Sequence, residues 1–129
     1  MYKGGFIMKK IVVGGQIEKA KIEELLQKYG KGNYEISVKT DIDAAMDLKS
    51  GAADYYFGAC NTGGGGALAM AIAMLGGDKT ATLGMPGKTS SEEEIKQSVA
   101  DGKVAFGFTS QDMDYIISTI MAELEAKEE

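Results

Sequence analysis

The stretch Asp54-Tyr55-Tyr56-Phe57-Gly58-Ala59-Cys60-Asn61-Thr62-Gly63-Gly64-Gly65-Gly66, followed by an uncharged apolar run at residues 67–75, decides the fold of this 129-residue chain. Residues 54–59 are aromatic or small, the composition of a buried strand, and they run directly into a glycine turn and then a helical segment. A strand, a glycine turn and a helix in immediate succession make half of a β/α unit, whose strand belongs in a parallel sheet.

The flanking sequence repeats the pattern. Lys10-Ile11-Val12-Val13 is a β-branched run stopped by Gly14-Gly15, and residues 16–29 place Ile17, Ala20, Ile22, Leu25 and Leu26 largely on one helical face. Gly30 is expected to cap that helix. Residues 34–39 alternate Tyr, Ile and Val with Glu, Ser and Lys, a second strand. Thr40 with Asp43 three residues on predicts a capped helix through Ala44, Ala45, Met46 and Leu48, closed by Gly51. Beyond the apolar run, Gly76-Gly77 stops the helix, residues 80–83 form a brief fourth strand, and residues 84–88 read as a loop. Ser90 or Ser91, each with Glu three residues later, opens a helix through Ile95 and Val99. Residues 104–108 make a fifth strand, and Thr109 with Asp112 is expected to cap a last helix through Tyr115, Ile116, Ile117, Ile120, Met121 and Leu124.

Five strands alternating with five helices predict one doubly wound α/β domain: a five-stranded, mostly parallel sheet with helices on both faces, flavodoxin-like or Rossmann-like. The expected strand order is 2-1-3-4-5, which sets the loops after the first and third strands side by side at the switch point. Residues 8–129 are read as that domain and residues 1–7 as an N-terminal extension, with Met8 a possible alternative start. The composition, 44% hydrophobic and 26% charged, is that of a globular chain. The longest apolar run falls far short of the roughly 20 residues a membrane-spanning helix needs. A formal charge of −5 argues against nucleic acid, and a single cysteine excludes an internal disulfide and points to the cytoplasm.

All fourteen basic residues are Lys; the chain has no Arg, His or Trp. A Ser/His/Asp triad, a Cys/His dyad, a histidine zinc site and a bidentate Arg clamp are therefore impossible within one chain. What remains is backbone chemistry. Four consecutive glycines leave amides unshielded at a helix start, where partial positive charge favours an anion. The expected ligand-binding residues are Gly14, Gly15 and Gln16 after the first strand, and Asn61, Thr62, Gly63, Gly64, Gly65 and Gly66 after the third. Cys60, at the strand end just before the glycines, is the candidate nucleophile or proton-transfer group, since the same amides would stabilise its thiolate. No Gly-Lys-Ser/Thr follows the glycines and no dinucleotide fingerprint follows the first strand, so ATP and NAD are disfavoured; no cofactor or metal is expected. Lys88, Ser110 and Gln111 follow the fourth and fifth strands and could face a bound anion, although solvation and helix capping explain them as well. The run Glu92-Glu93-Glu94 suits an exposed helix start. The helix at 67–75 has no polar residue on any face, so it is expected to be buried all round, with a homo-oligomer formed through it.

Two resemblances add to this reading. Residues 9–15, Asp43-Ala44-Ala45-Met46, residues 54–63, Ala69-Met70-Ala71-Ile72-Ala73 and Gly102-Lys103-Val104-Ala105-Phe106-Gly107 resemble the YhfU-like family of uncharacterised bacterial proteins over nearly the whole chain. Membership implies a small bacterial cytosolic protein and no defined activity. More remotely, Cys60-Asn61-Thr62-Gly63-Gly64-Gly65-Gly66-Ala67-Leu68-Ala69 is similar to the cysteine and glycine loop of type B ribose-phosphate isomerases. That resemblance implies Cys60 as the base, with Thr62, Gly63 and neighbouring amides as oxyanion donors. This chain has Gly14-Gly15-Gln16 where those enzymes carry an Asp-His pair, and it lacks their phosphate-binding Arg and ring-opening His.

The expectation is therefore a small anionic metabolite, a phosphorylated sugar or a carboxylate, bound between residues 14–16 and 60–66, with proton transfer by Cys60 as the catalytic version. The alternative is a non-catalytic subunit or regulatory partner of a transport or metabolic system, assembled through the apolar helix. A phosphocysteine carrier fits less well, because its cysteine would follow the first strand.

Overall fold

The computed structural model of the chain describes residues 8–62 and 64–128. The expected extension at residues 1–7 lies outside them, as does Gly63. In chain order the elements are β1 (Lys9–Gly15), α1 (Lys19–Gly30), β2 (Tyr34–Val38), α2 (Asp41–Ser50), β3 (Tyr55–Ala59), α3 (Gly64–Ala67), α4 (Ala69–Leu75), a 3-10 turn (Gly77–Lys79), β4 (Thr80–Thr82), β5 (Gly84–Met85), β6 (Lys88–Thr89), α5 (Glu92–Ala100), β7 (Ala105–Phe108) and α6 (Met113–Lys127).

Five strands form an all-parallel sheet in the order β2-β1-β3-β7-β4. The α/β sheet with helices on both faces is as the sequence implies, but the last two strands exchange places relative to the expected order. Burial accounts for the exchange. Every residue of Ala105-Phe106-Gly107-Phe108 is buried, as a strand flanked on both sides requires, whereas Thr80-Ala81-Thr82 goes from buried to exposed along its length and suits an edge.

Helices α1, α5 and α6 cover one face, over a core that includes Ile11, Val13, Phe57, Phe106 and Phe108; α2, α3 and α4 cover the other, over Val12, Tyr56 and Ala105. The two moves towards β2 or back from β4 use α1 and α5, and the opposite moves use α2 and α3–α4, so all crossovers share one hand. The rings of Phe57 and Phe106 meet at 5.4 Å between centroids, tilted by 51°, and tie the central pair of strands together. At the N-terminal end of the sheet, the hydroxyls of Tyr34 and Tyr55 donate to the two oxygens of Glu128 at 3.2 and 2.6 Å. Burial, reinforced by that carboxylate, pushes both phenols well above their ordinary ionisation range.

Capping follows the sequence in part. The Thr40 hydroxyl accepts from the Asp43 amide at 3.1 Å, and Ser91 with Glu94 forms a complete reciprocal capping box. The first helix starts later than expected, because the Gln16 and Ile17 amides stay on the sheet edge and donate to the Ala59 carbonyl at 2.9 and 3.2 Å. Gly30 is its last residue, and Lys31 rather than the glycine takes the left-handed position. The expected loop at 84–88 contains the antiparallel hairpin β5–β6. Thr109 and Asp112 do not form a cap. Asp112 precedes α6 without a side-chain capping bond, and its carboxylate accepts instead from the Thr89 hydroxyl at 2.6 Å, pinning the hairpin.

The apolar run is divided at Leu68 into α3 and α4. It is not buried all round within one chain: Ala67, Leu68 and Ala71 are buried, while Ala69 and Ala73 are exposed and Ile72 is 41% exposed. Among the described residues nothing lies outside the layer of α2, α3 and α4, and the outer face of α4 is exposed.

Candidate functional site

The turn between β3 and α3 is built around one sulfur atom. Cys60 is 1% exposed, and its amide donates to the Phe108 carbonyl of β7 at 3.1 Å, which extends the parallel pairing one residue beyond the strands. The sulfur lies 3.4 Å from the Thr62 hydroxyl oxygen and receives hydrogen bonds from the backbone amides of Thr62, Ala67 and Gly66. Burial works against the thiolate, but these donors together outweigh it and hold the thiol below its ordinary ionisation range. Two of the amides expected to bind an outside anion, those of Thr62 and Gly66, are thus directed at the protein's own sulfur.

A glycine is required for that arrangement. A β-carbon on Gly66 would sit 2.9 Å from the Cys60 sulfur, so any side chain there would push the backbone away from it. Tyr56 fixes the loop from below. Its hydroxyl accepts from the Gly15 amide at 3.0 Å and donates to the Ala67 carbonyl at 2.7 Å, joining the end of β1 to the end of α3. Burial, opposed in part by the Gly15 amide, pushes this phenol up to about 12.

Of the residues expected after β1, Gly14 and Gly15 are buried against the neighbouring strand. A β-carbon on Gly14 would come within 2.8 Å of the Ala44 methyl and 2.7 Å of the Tyr56 ring; Gly15 has φ +75° and lies against the Ala59 backbone. The Gly15 and Gln16 amides are engaged by Tyr56 and Ala59. What this loop offers a ligand is the exposed Gln16 side chain, whose amide oxygen lies 3.5 Å from the position of a Gly66 β-carbon. Asn61 and Thr62 are exposed at the mouth of the turn, and Gly64, Gly65 and Gly66 form the first turn of α3. Gln16 and Cys60 are therefore brought together. Lys88 and Met85 lie on the hairpin beyond β4, around a hollow of about 230 Å³ shared with Leu83, Ser90 and Glu94. Gln111 accepts from the Gly87 amide at 3.4 Å, and Ser110 is exposed. A larger open cleft of about 680 Å³ lies beside the end of β2, between Lys19, Lys39, Thr40 and Asp47. Its lysines are already engaged, Lys19 with the Lys39 carbonyl and Lys39 with the Asp47 carboxylate.

Two residues near this turn have features that the sequence does not reveal. Tyr56 looked like one more aromatic of a buried strand, and Thr109 looked like a helix cap. In the structure Thr109 is 6% exposed at the end of β7, and its hydroxyl oxygen has no hydrogen-bond partner among the described residues. Among the described residues no cluster of three or more Cys, Asp or Glu side chains could hold a metal, and no helix is long and apolar enough to cross a membrane.

Fold and site together define a doubly wound α/β protein with a cysteine and glycine turn at the C-terminal edge of its central strand. A family model described as a protein of unknown function, DUF2620, matches residues 9–124, and the chain belongs to this family. It is 40% identical over 118 residues to the uncharacterized protein YhfU of Escherichia coli K12, covering 92% of this chain and all of that protein; the YhfU of Shigella flexneri matches equally. Among solved structures it resembles the type B ribose 5-phosphate isomerase of Trypanosoma brucei, with a TM-score of 0.67 at 14% identity over 92% of this chain and 87% of that one. Both resemblances read from the sequence are thereby found again, the second as a likeness of fold.

Proposed function

We propose that the protein binds a small anionic metabolite, a phosphorylated sugar, at the edge formed by Gln16 and residues 60–66, and that Cys60 moves a proton within it. The observation that carries this reading is the donor set on the Cys60 sulfur: the Thr62 hydroxyl and three backbone amides, which favour a thiolate at a strand end. The isomerase likeness supports the choice of substrate class. In such a reaction the thiolate takes the proton from the hydroxyl-bearing carbon beside a carbonyl. The released C–H electron pair forms the double bond of an enediolate, and the carbonyl oxygen takes the negative charge. The thiol then returns the proton to the neighbouring carbon while the hydroxyl proton passes between the two oxygens. In this reading the Thr62 hydroxyl, 3.4 Å from the sulfur, donates to that oxyanion.

The test is a thermal-shift titration of wild type and Cys60→Ser with D-ribose 5-phosphate, D-glucose 6-phosphate, small carboxylates and inorganic phosphate. NMR assay of aldose–ketose exchange in deuterium oxide accompanies it. Stabilisation by a sugar phosphate, with exchange abolished in Cys60→Ser, is expected. Exchange at an unaltered rate in Cys60→Ser removes the role given to the thiol.

A specific observation also favours assembly. Helix α4 carries no charge and presents Ala69, Ile72 and Ala73 to solvent. A second copy is the occupant this surface suits. A two-fold contact juxtaposes identical patches, so an uncharged helix meets no like charge, and alanines permit close approach. The non-catalytic subunit reading shares this surface and differs in predicting no sugar-phosphate response.

A further inference from the structure

Resting on the sugar-phosphate reading of the Cys60 site, we propose that Thr109 is a ligand-binding residue of that site, its hydroxyl hydrogen-bonding a hydroxyl or carbonyl oxygen of an open-chain sugar. Side chains of a strand alternate between faces, and paired residues of parallel neighbours share a face. Tyr56 pairs with Ala105 on the α3 side of the sheet, and Phe57 with Phe106 and Ala59 with Phe108 on the opposite side. The next residues, Cys60 and Thr109, continue that register through the bond from the Cys60 amide to the Phe108 carbonyl, and so return to the α3 side. On the other flank β1 turns off at Gly15, and the Gln16 amide oxygen and the Cys60 sulfur lie 3.5 and 2.9 Å from the position of one Gly66 β-carbon, which sets Gln16 beside Cys60 in that row. The edge of the sheet thus presents Gln16, Cys60 and Thr109 from three adjacent strands.

The Thr109 hydroxyl is the member of that row without an internal role. Its residue is buried, its oxygen has no hydrogen-bond partner among the described residues, and the capping function that would explain it is not exercised. Buried hydroxyls in folded proteins are nearly always paired, and valine would fill the same space without an unmatched polar atom. A hydroxyl kept at a sheet edge one strand from a thiol favouring its ionised form fits a partner that arrives with the ligand. A threonine hydroxyl both donates and accepts, so it suits the neutral oxygens of a polyol chain rather than a phosphate group.

The experiment compares wild type, Thr109→Val and Thr109→Ser by unliganded melting temperature and by affinity for D-ribose 5-phosphate, D-glucose 6-phosphate and inorganic phosphate. Thr109→Val is expected to melt at or above the wild-type temperature, because the lost hydroxyl has no internal bond. It is expected to weaken the responding sugar phosphate by about threefold to tenfold and leave inorganic phosphate unchanged, with Thr109→Ser restoring affinity. Sugar-phosphate affinity equal to wild type in Thr109→Val overturns the proposal while leaving the site intact. A clear drop in unliganded melting temperature also overturns it, because it shows a hydroxyl bonded within the protein. No response of wild type to either sugar phosphate overturns the site reading itself, and the role of Thr109 with it.

Discussion

At the scale of single residues, the end of β3 is a contest for space that glycine loses on purpose and sulfur wins. Because Gly66 has no side chain, the backbone closes on Cys60 and the loop's amides serve its thiolate. This has a pH signature of definite sign. A thiol whose native ionisation lies below its unfolded value, about 8.5, adds stability that is complete above that unfolded value and is lost as pH falls through the native one. The stability gap between wild type and Cys60→Ser, measured by urea denaturation, should therefore widen as pH rises towards about 8.5 and level off beyond it. A gap independent of pH would mean that the donors do not favour the thiolate. Cys60 and its glycines were legible in the sequence, because a strand ending in cysteine and running into four glycines is unusual chemistry written locally. Tyr56 and Thr109 were not, since their roles depend on strands 40 or more residues away.

At the scale of elements, local signals succeeded where local physics decides. Ser91 and Thr40 cap their helices because, among the described residues, no other group takes their hydroxyls. Replacing Ser91 by Ala should cost about 1 kcal/mol of stability in urea denaturation, since it removes one half of a reciprocal box at the start of a nine-residue helix. The same motif at Thr109 and Asp112 misled, because the Asp112 carboxylate serves the Thr89 hydroxyl across the hairpin. Strand order was a harder case with a usable clue. Ala105-Phe106-Gly107-Phe108 carries no polar side chain and Thr80-Ala81-Thr82 carries two, which marks the former as central and the latter as an edge. Counting elements in chain order concealed that contrast.

At the scale of the molecule, the two faces of the sheet are unequally clothed, with helices of twelve, nine and fifteen residues on one and of ten, four and seven on the other. The exposed row Ala69, Ile72 and Ala73 belongs to the lighter layer, and sedimentation should show wild type as a dimer that Ile72→Glu converts to monomer with unchanged far-ultraviolet circular dichroism. A monomeric wild type at micromolar concentration would remove the assembly reading. The sequence carried the apolar character of this helix but not its outward orientation, which depends on how few elements share its face. One consequence of the sheet order concerns biosynthesis. Among the described strands, β7 is made after β4 yet inserts between β3 and β4, so a nascent chain can align β2, β1 and β3 while Thr80–Thr82 waits without a neighbour in the sheet. The carbonyl of Phe108 that receives the Cys60 amide arrives with that strand, so the thiol's surroundings are completed only after β7 has joined the sheet, about fifty residues after the cysteine itself is made.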